Sequence, residues 1–255
     1  SAPILGLALV VAACSDDGDG SSEAATCPTE GQEWEEAKLY IEHNATDEDT
    51  GVHGLFGGEA WSELCIVDPD GDQILLADPQ AQLGALTVAD LFFESREPPD
   101  DEYAVDDLKA DFPEGEYRVS GTDFEGTARA GTAVFTHDIP VEPTIVTPRL
   151  AEDAETAGDA TVPTEGLVVE WEPVTETLDG DPPVVTGYEV IVTDEEYEDP
   201  NGFSKPIYDV HVGPDQSTLS VPEDFLQPDT VYELEVLVLE ESGNQTISVG
   251  FVRTE

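Results

Sequence analysis

The chain has 255 residues, with 59 aspartates and glutamates against 8 lysines and arginines, for a formal net charge of −51. Apolar residues make up 39%, enough to bury a core in one large domain or two ordinary ones. So few cations exclude binding to a phosphate backbone, hence no nucleic acid as partner, and exclude electrostatic docking on anionic lipid. The acids run through every segment, and Lys38, Lys109 and Lys205 are the only lysines. Such a chain stores self-repulsion that salt relieves, which predicts a halophilic protein suited to saline water.

The first element in chain order is an apolar run, ILGLALVVAA at residues 4–13, ending at Cys14. It is too short to span a bilayer, which needs about 20 apolar residues, and it fits the apolar part of a secretory signal peptide. The chain opens at Ser1 without methionine or a basic stretch, so the rest of the leader is expected upstream. Val11-Ala12-Ala13-Cys14 resembles the lipobox of bacterial lipoproteins. The resemblance implies a diacylglyceryl group on the Cys14 thiol, with Cys14 as the mature N-terminus. Ser15 after it leans towards the outer membrane or cell surface by the same sorting rules. Residues 14–32 are polar, acidic and small, and read as a flexible tether that buries too little to fold.

Cys27 and Cys65 are the remaining cysteines. An exported compartment is oxidising, so the pair is expected to form a disulfide pinning the end of the tether to the first domain. Neither sits in a Cys-x-x-Cys spacing, which argues against a metal.

From residue 33 onward, short alternating segments bounded by Gly, Pro, Asp and Asn predict an all-β chain of two tandem β-sandwich domains, at 33–140 and 141–255. In the first, strands are expected at Ala37–His43, Trp61–Val67, Asp72–Ala77, Gly115–Ser120 and Ala130–His137. Asp68-Pro69-Asp70-Gly71 is tight-turn chemistry. Residues 86–94 fit a strand or a short helix, and one helical turn is expected near Val105–Lys109. Ile139-Pro140-Val141-Glu142-Pro143 reads as the joint, because its prolines favour an extended connector.

In the second domain the period of two is clear. Leu167, Val169 and Trp171 share one face, as do Tyr188, Val190 and Val192, and Tyr232, Leu234, Val236 and Val238. Glu189, Glu233 and Glu235 fall on the opposite face. With Trp171 in Val-Glu-Trp-Glu-Pro-Val, Gly187-Tyr188-Glu189-Val190, and Leu226-Gln227-Pro228-Asp229-Thr230-Val231-Tyr232, this stretch resembles a fibronectin type III domain. The resemblance implies core positions for Trp171, Tyr188 and Tyr232, with Tyr232 as a tyrosine corner. It also implies an F–G turn at Glu240–Thr246 and a closing strand at Val249–Thr254. No Arg-Gly-Asp lies in that turn, so integrin-type adhesion does not carry over. Phe112-Pro113-Glu114-Gly115-Glu116-Tyr117 gives the first domain an Ig-like entry to a late strand.

Candidate sites are few. The loop from Asn44 to His53 is the densest polar stretch. Asp47, Glu48 and Asp49 offer hard oxygen ligands for calcium, against a plain solvated loop. His43, His53 and His137 are a second candidate set, for zinc. No Gly-x-Ser-x-Gly, His-Glu-x-x-His or phosphate-cradling loop occurs, so no catalytic residue is assigned. Asn44-Ala45-Thr46 and Asn244-Gln245-Thr246 are formal glycosylation sequons. These observations lead to the expectation of an exported protein attached to the membrane only through a lipid anchor. It would act as a non-catalytic binding, adhesion or spacer module towards a protein or polysaccharide at the cell surface. One alternative is a glycan-binding accessory protein of a polysaccharide-processing system, with Trp34, Trp61 and Tyr40 as its platform. The other is an uncharacterised hydrolase.

Overall fold

The computed structural model describes residues 27–202 and 205–255. The signal segment, Cys14 and most of the tether lie outside the described residues. The first half holds β1 (Glu36–Asn44), β2 (Asp49–Val67), β3 (Gln73–Ala77), α1 (Ala81–Leu86), β4 (Val88–Glu94), α2 (Val105–Asp111), β5 (Gly115–Asp123) and β6 (Ala128–Phe135). The second holds β7 (Ile145–Thr147), a 3-10 helix at Ala154–Asp159, β8 (Thr161–Val162), β9 (Val168–Trp171), β10 (Val185–Asp194), β11 (Ile207–Val212), β12 (Thr218–Ser220), β13 (Val231–Glu240) and β14 (Gln245–Thr254).

The structure is mostly β, with two short α-helices and one 3-10 helix, and two apolar cores form. One is built around Ile41, Phe56, Trp61, Leu64, Tyr117 and Phe135. The other is built around Val169, Trp171, Tyr188, Val190, Tyr232 and Val236. The halves, however, are not two separate sheet systems. β1 pairs in parallel with β14 through Glu42↔Gln245, His43↔Thr246 and Asn44↔Ile247. The main path of the resulting eleven-stranded sheet therefore runs β11-β10-β13-β14-β1-β2-β5-β6, through both halves. A three-stranded sheet, β12-β9-β7, closes the second core from the other side.

The second half has the strand arrangement that its sequence motifs imply. Tyr232 lies 1% exposed, and its hydroxyl accepts the Gln227 N–H at 2.8 Å, tying the loop before β13 to the core. The Tyr188 hydroxyl likewise accepts the Val174 N–H at 2.8 Å, and its ring centroid lies 5.4 Å from that of Trp171. Each polar tip is satisfied while its ring stays dry, as burial of a tyrosine requires.

In the first half the main departure is β2. The sequence reading starts a strand at Trp61, but β2 begins at Asp49. Its N-terminal part pairs with β1 and β4, its C-terminal part with β5 and β3. The change of partners falls at Gly57–Trp61, where the register shifts and Gly58 has φ 124°. Glycine permits that corner, and such bends let one strand serve two sheet surfaces. Of the two elements weighed for 86–94 the strand forms, as β4, while α1 ends at Leu86. The Asp68–Gly71 turn forms as expected, with Asp68 Oδ1 accepting the Asp72 N–H at 2.8 Å.

The Ile139–Pro143 joint is packed rather than free. Ile139 is fully buried, and the Val141 N–H is donated to the Glu176 carbonyl at 3.0 Å. The Thr246 and Ser248 hydroxyls donate to the carbonyls of Pro140 and Pro143 at 2.6 and 2.7 Å. At the centre lies Asn244, 1% exposed. Its Oδ1 accepts the Ile41 N–H at 2.8 Å, and its Nδ2 donates to the carbonyls of Thr136 and Asp138 at 3.1 and 3.3 Å. The residue that reads as a formal sequon is thus a buried clamp between the halves.

Candidate functional site, a carboxylate–histidine face on the shared sheet

Strand register assembles one row of polar side chains across the joint. In β10, Glu189 alternates with the core residues Tyr188 and Val190 and so points to the other face. Glu189 stands opposite His211 of β11, and Ile191 opposite both Asp209 of β11 and Glu235 of β13. Leu239 of β13 stands opposite Gln245 of β14, and Gln245 opposite Glu42 of β1. Tyr40 of β1 stands opposite His53 of β2, which stands opposite Glu94 of β4. Residues from both halves therefore share one face.

Two His–carboxylate groups lie on it, each with three potential ligand atoms within 4.8 Å of one another. In Glu42–His53–Glu97, His53 is 3% exposed. Its Nε2 lies 2.9 Å from Glu97 Oε1 and its Nδ1 3.7 Å from Glu42 Oε2. The two carboxylates thus approach different ring nitrogens. Gln245 donates its side-chain N–H to Glu42. Gly51 leaves room for Glu97, since a Cβ there would sit 2.6 Å from Glu97 Cγ. In Glu189–Asp209–His211, His211 Nε2 lies 3.2 Å from Glu189 Oε1, and the Asp209 carboxylate lies beside Glu189.

Crowding of acids on this half-buried face favours their neutral forms. Burial first, then the neighbouring Asp209, pushes Glu189 up to about 7. Burial first, then Glu233, pushes Glu235 up to about 8. Glu42 is raised by burial, partly offset by His53 and Gln245. The Tyr40 hydroxyl is pushed up to about 12 by burial and the negative field of Glu42, Glu189 and Glu94. Chemically, the face can hold protons or small cations between its carboxylates.

The residues that sequence reasoning selected lie elsewhere. Asp47, Glu48 and Asp49 occupy the β1–β2 turn and the first position of β2. Among the described residues they do not belong to a group of converging ligand atoms. Asp47 instead takes the Asn44 side-chain N–H at 3.1 Å. Asp49 is raised to about 6 by burial and the nearby Glu97, Asp47 and Asp100. Asp47 and Glu48 lie in the tight turn and Asp49 opens β2, so the three calcium-candidate side chains are not drawn together here.

His43, His53 and His137 also fail to converge. His43 Nδ1 meets the Thr50 hydroxyl at 2.9 Å, and burial lowers its pKa. His137 Nε2 meets the Phe112 carbonyl at 2.9 Å. The proposed aromatic platform does not form either. Trp61 is 1% exposed and donates to the Ala89 carbonyl at 3.1 Å. Trp34 packs over Gly131, and the Tyr40 ring lies 5.3 Å from that of His53. Cys27 and Cys65 are joined as a disulfide with Cα atoms 5.9 Å apart, while Cys14 is outside the described residues. Trp171 and Tyr188 are 3% and 1% exposed, core positions like that of Tyr232. Sequence reasoning placed Glu189 and Glu235 on a solvent face but missed Glu42, Glu97, Asp209 and His211 as partners. The available signal was Asp209-x-His211, two groups that a strand puts on one side.

No protein-family model matches the chain, and no curated protein shows significant similarity to it. Solved structures show a distant similarity to fibronectin type III and Ig-like domains. The third fibronectin III domain of human KIAA0343 protein is 19% identical, with a TM-score of 0.33, covering 47% of this chain and 87% of that one. The chicken CNTN1 FN1–FN3 domains are 13% identical, with a TM-score of 0.33, covering 89% and 69%. A tetra-tandem repeat in the extending region of a large adhesion protein is 13% identical, with a TM-score of 0.27, covering 86% of this chain and 49% of that chain. At such values the likeness concerns the strand arrangement alone.

Proposed function

We propose that this chain is a non-catalytic surface module, exported and held to the membrane by an acyl group on Cys14. The tether at 14–32 sets its two halves, 33–140 and 141–255, away from the lipid. Its role is to space or present a binding surface towards a protein or polysaccharide outside the cell. The observation that carries this reading is the shared sheet. The β1–β14 ladder and the Asn244 clamp join the halves into one continuous unit, the property a spacer needs and a flexible pair of domains lacks. The Cys27–Cys65 bridge supports export, because disulfides persist in oxidising compartments. The gene is to be expressed with its native leader in a bacterial host fed an alkyne-labelled fatty acid, beside Cys14→Ala. The wild type should carry label and be shaved from intact cells by protease. The variant should carry none. Equal labelling of both, or full protection from protease, would overturn the reading.

A further inference from the structure

We propose that Glu189, Asp209 and His211 form a binding site for a borderline divalent transition ion of the zinc class. Asp209 and His211 are two apart on β11 and so project from one face. Glu189 stands directly across from His211 on β10. Each residue offers one ligand atom, and these atoms lie within 4.8 Å of one another, a spread that small rotamer changes can draw onto one ion with bonds of about 2.0–2.2 Å. The backbone needs no movement, because the antiparallel ladder already fixes the three Cβ atoms.

Charge compensation is compatible with this geometry. Asp209 sits close enough to Glu189 to disfavour its charged form, a repulsion that a shared proton or a bound cation relieves. Six of the eight fixed cations are engaged elsewhere: Lys38 with Glu36, Arg96 with Glu102, Lys109 with Asp179, Arg129 with Glu59 and Asp123, Lys205 with Glu195, and Arg253 with Asp229. Among the described residues no lysine or arginine forms an ion pair with Glu189 or Asp209.

Ligand type selects the ion. Calcium takes six to eight oxygens and magnesium a hydrated octahedron of oxygens. One imidazole nitrogen with two carboxylates suits zinc and its neighbours, with water completing the shell. The other group, Glu42–His53–Glu97, is the weaker candidate. Its carboxylates address different nitrogens of His53, so they hold the ring between them rather than sharing an ion with one nitrogen. His211 presents Nε2 towards Glu189 with its side chain 64% exposed, which leaves room for an ion and its waters to enter.

The test is calorimetric titration of zinc chloride into the metal-free exported chain at about seawater salt, where diffuse counterion attraction is screened. It is paired with NMR of the histidine ring signals. Zinc should bind at one equivalent and shift the His211 ring signals, while equimolar calcium fails to displace it. His211→Ala and Asp209→Asn should each weaken binding at least about tenfold, a loss of about 1.4 kcal/mol. Both sites are on the solvent face of an edge strand, so the variants should keep the wild-type fold by circular dichroism. Glu223→Gln, an exposed acid elsewhere, should bind as the wild type does. No measurable zinc binding, unchanged affinity in both site variants, or displacement by equimolar calcium would overturn the proposal.

Discussion

Single side chains decide how the two halves hold together. Asn244→Ala removes the acceptor of the Ile41 N–H and the donor to Thr136 and Asp138, leaving buried backbone groups without partners. Each such group costs about 1–3 kcal/mol, so the variant should lose roughly 2–4 kcal/mol in urea denaturation at fixed salt. An unchanged midpoint would mean that water enters and replaces the amide. Trp171→Ala should cost about 3–5 kcal/mol by the same measurement, the usual range for an aromatic removed from a core. These two residues differ in how far a sequence reveals them. Trp171 and Tyr232 sit in short local patterns whose spacing already implies a buried face. Asn244 hydrogen-bonds to Ile41 across 203 positions and to Thr136 across 108, and local patterning holds no trace of pairings at that range. Its side chain looks like turn chemistry until the fold brings the other half to it.

At the level of elements, alternation was readable wherever one face is apolar and no glycine interrupts the period, as in β13 and in β10 after Gly187. It failed along the first part of β2, where Gly51, Gly54, Gly57 and Gly58 interrupt the period. Those glycines answer to neighbours rather than to the strand itself: a Cβ at Gly54 would sit 2.5 Å from the Phe93 ring. The candidate site was half legible for the same reason. Its β10 and β13 acids were visible as a solvent face, but their meeting with β1 depends on the parallel ladder to β14. That meeting has a pH consequence. Glu235 on β13 is raised from 4.5 to about 8 by burial, Glu233, Glu42 and Glu189. The folded state therefore binds this proton more tightly than the unfolded chain, and stability falls as pH rises from about 4.5 to about 8. Below that window the group exerts no penalty, and above it the penalty is complete. Glu235→Gln should flatten the slope. It should stabilise by more than about 1.4 kcal/mol at pH 8, the worth of a single pKa unit, and by almost nothing at pH 4.5. Denaturation curves at the two pH values decide it; a gain of equal size at both would assign the effect to packing instead.

Over the whole molecule the charge balance governs, and the fold concentrates it. With 59 acids against 8 bases, few carboxylates can pair with a cation, and most of the repulsion is unrelieved in the compact state. The shared sheet adds a local term, because Glu42 of the first half lies in the field of Glu189 and Glu235 of the second. Repulsion therefore acts both on folding and on the joint itself. The Debye length falls from about 10 Å at 0.1 M salt to about 3 Å at 1 M, crossing the spacing between neighbouring surface charges. The expanded chain gains less from this screening, since its charges are farther apart. Raising sodium chloride from dilute buffer to about seawater strength should increase the melting temperature, most steeply at the low end. A gain of about 2 kcal/mol corresponds to roughly 4–8 °C for a chain of this size. Potassium chloride should do the same at equal ionic strength, because screening is indifferent to which monovalent ion supplies it. In Glu42→Gln/Glu189→Gln the salt dependence should be shallower than in the wild type, as the acids on either side of β13 and β14 are then neutral. Thermal scans over a chloride series are the measurement. Melting that stays flat or falls with salt would show that repulsion does not limit this fold, and a slope unchanged in the double variant would place the repulsion away from the joint.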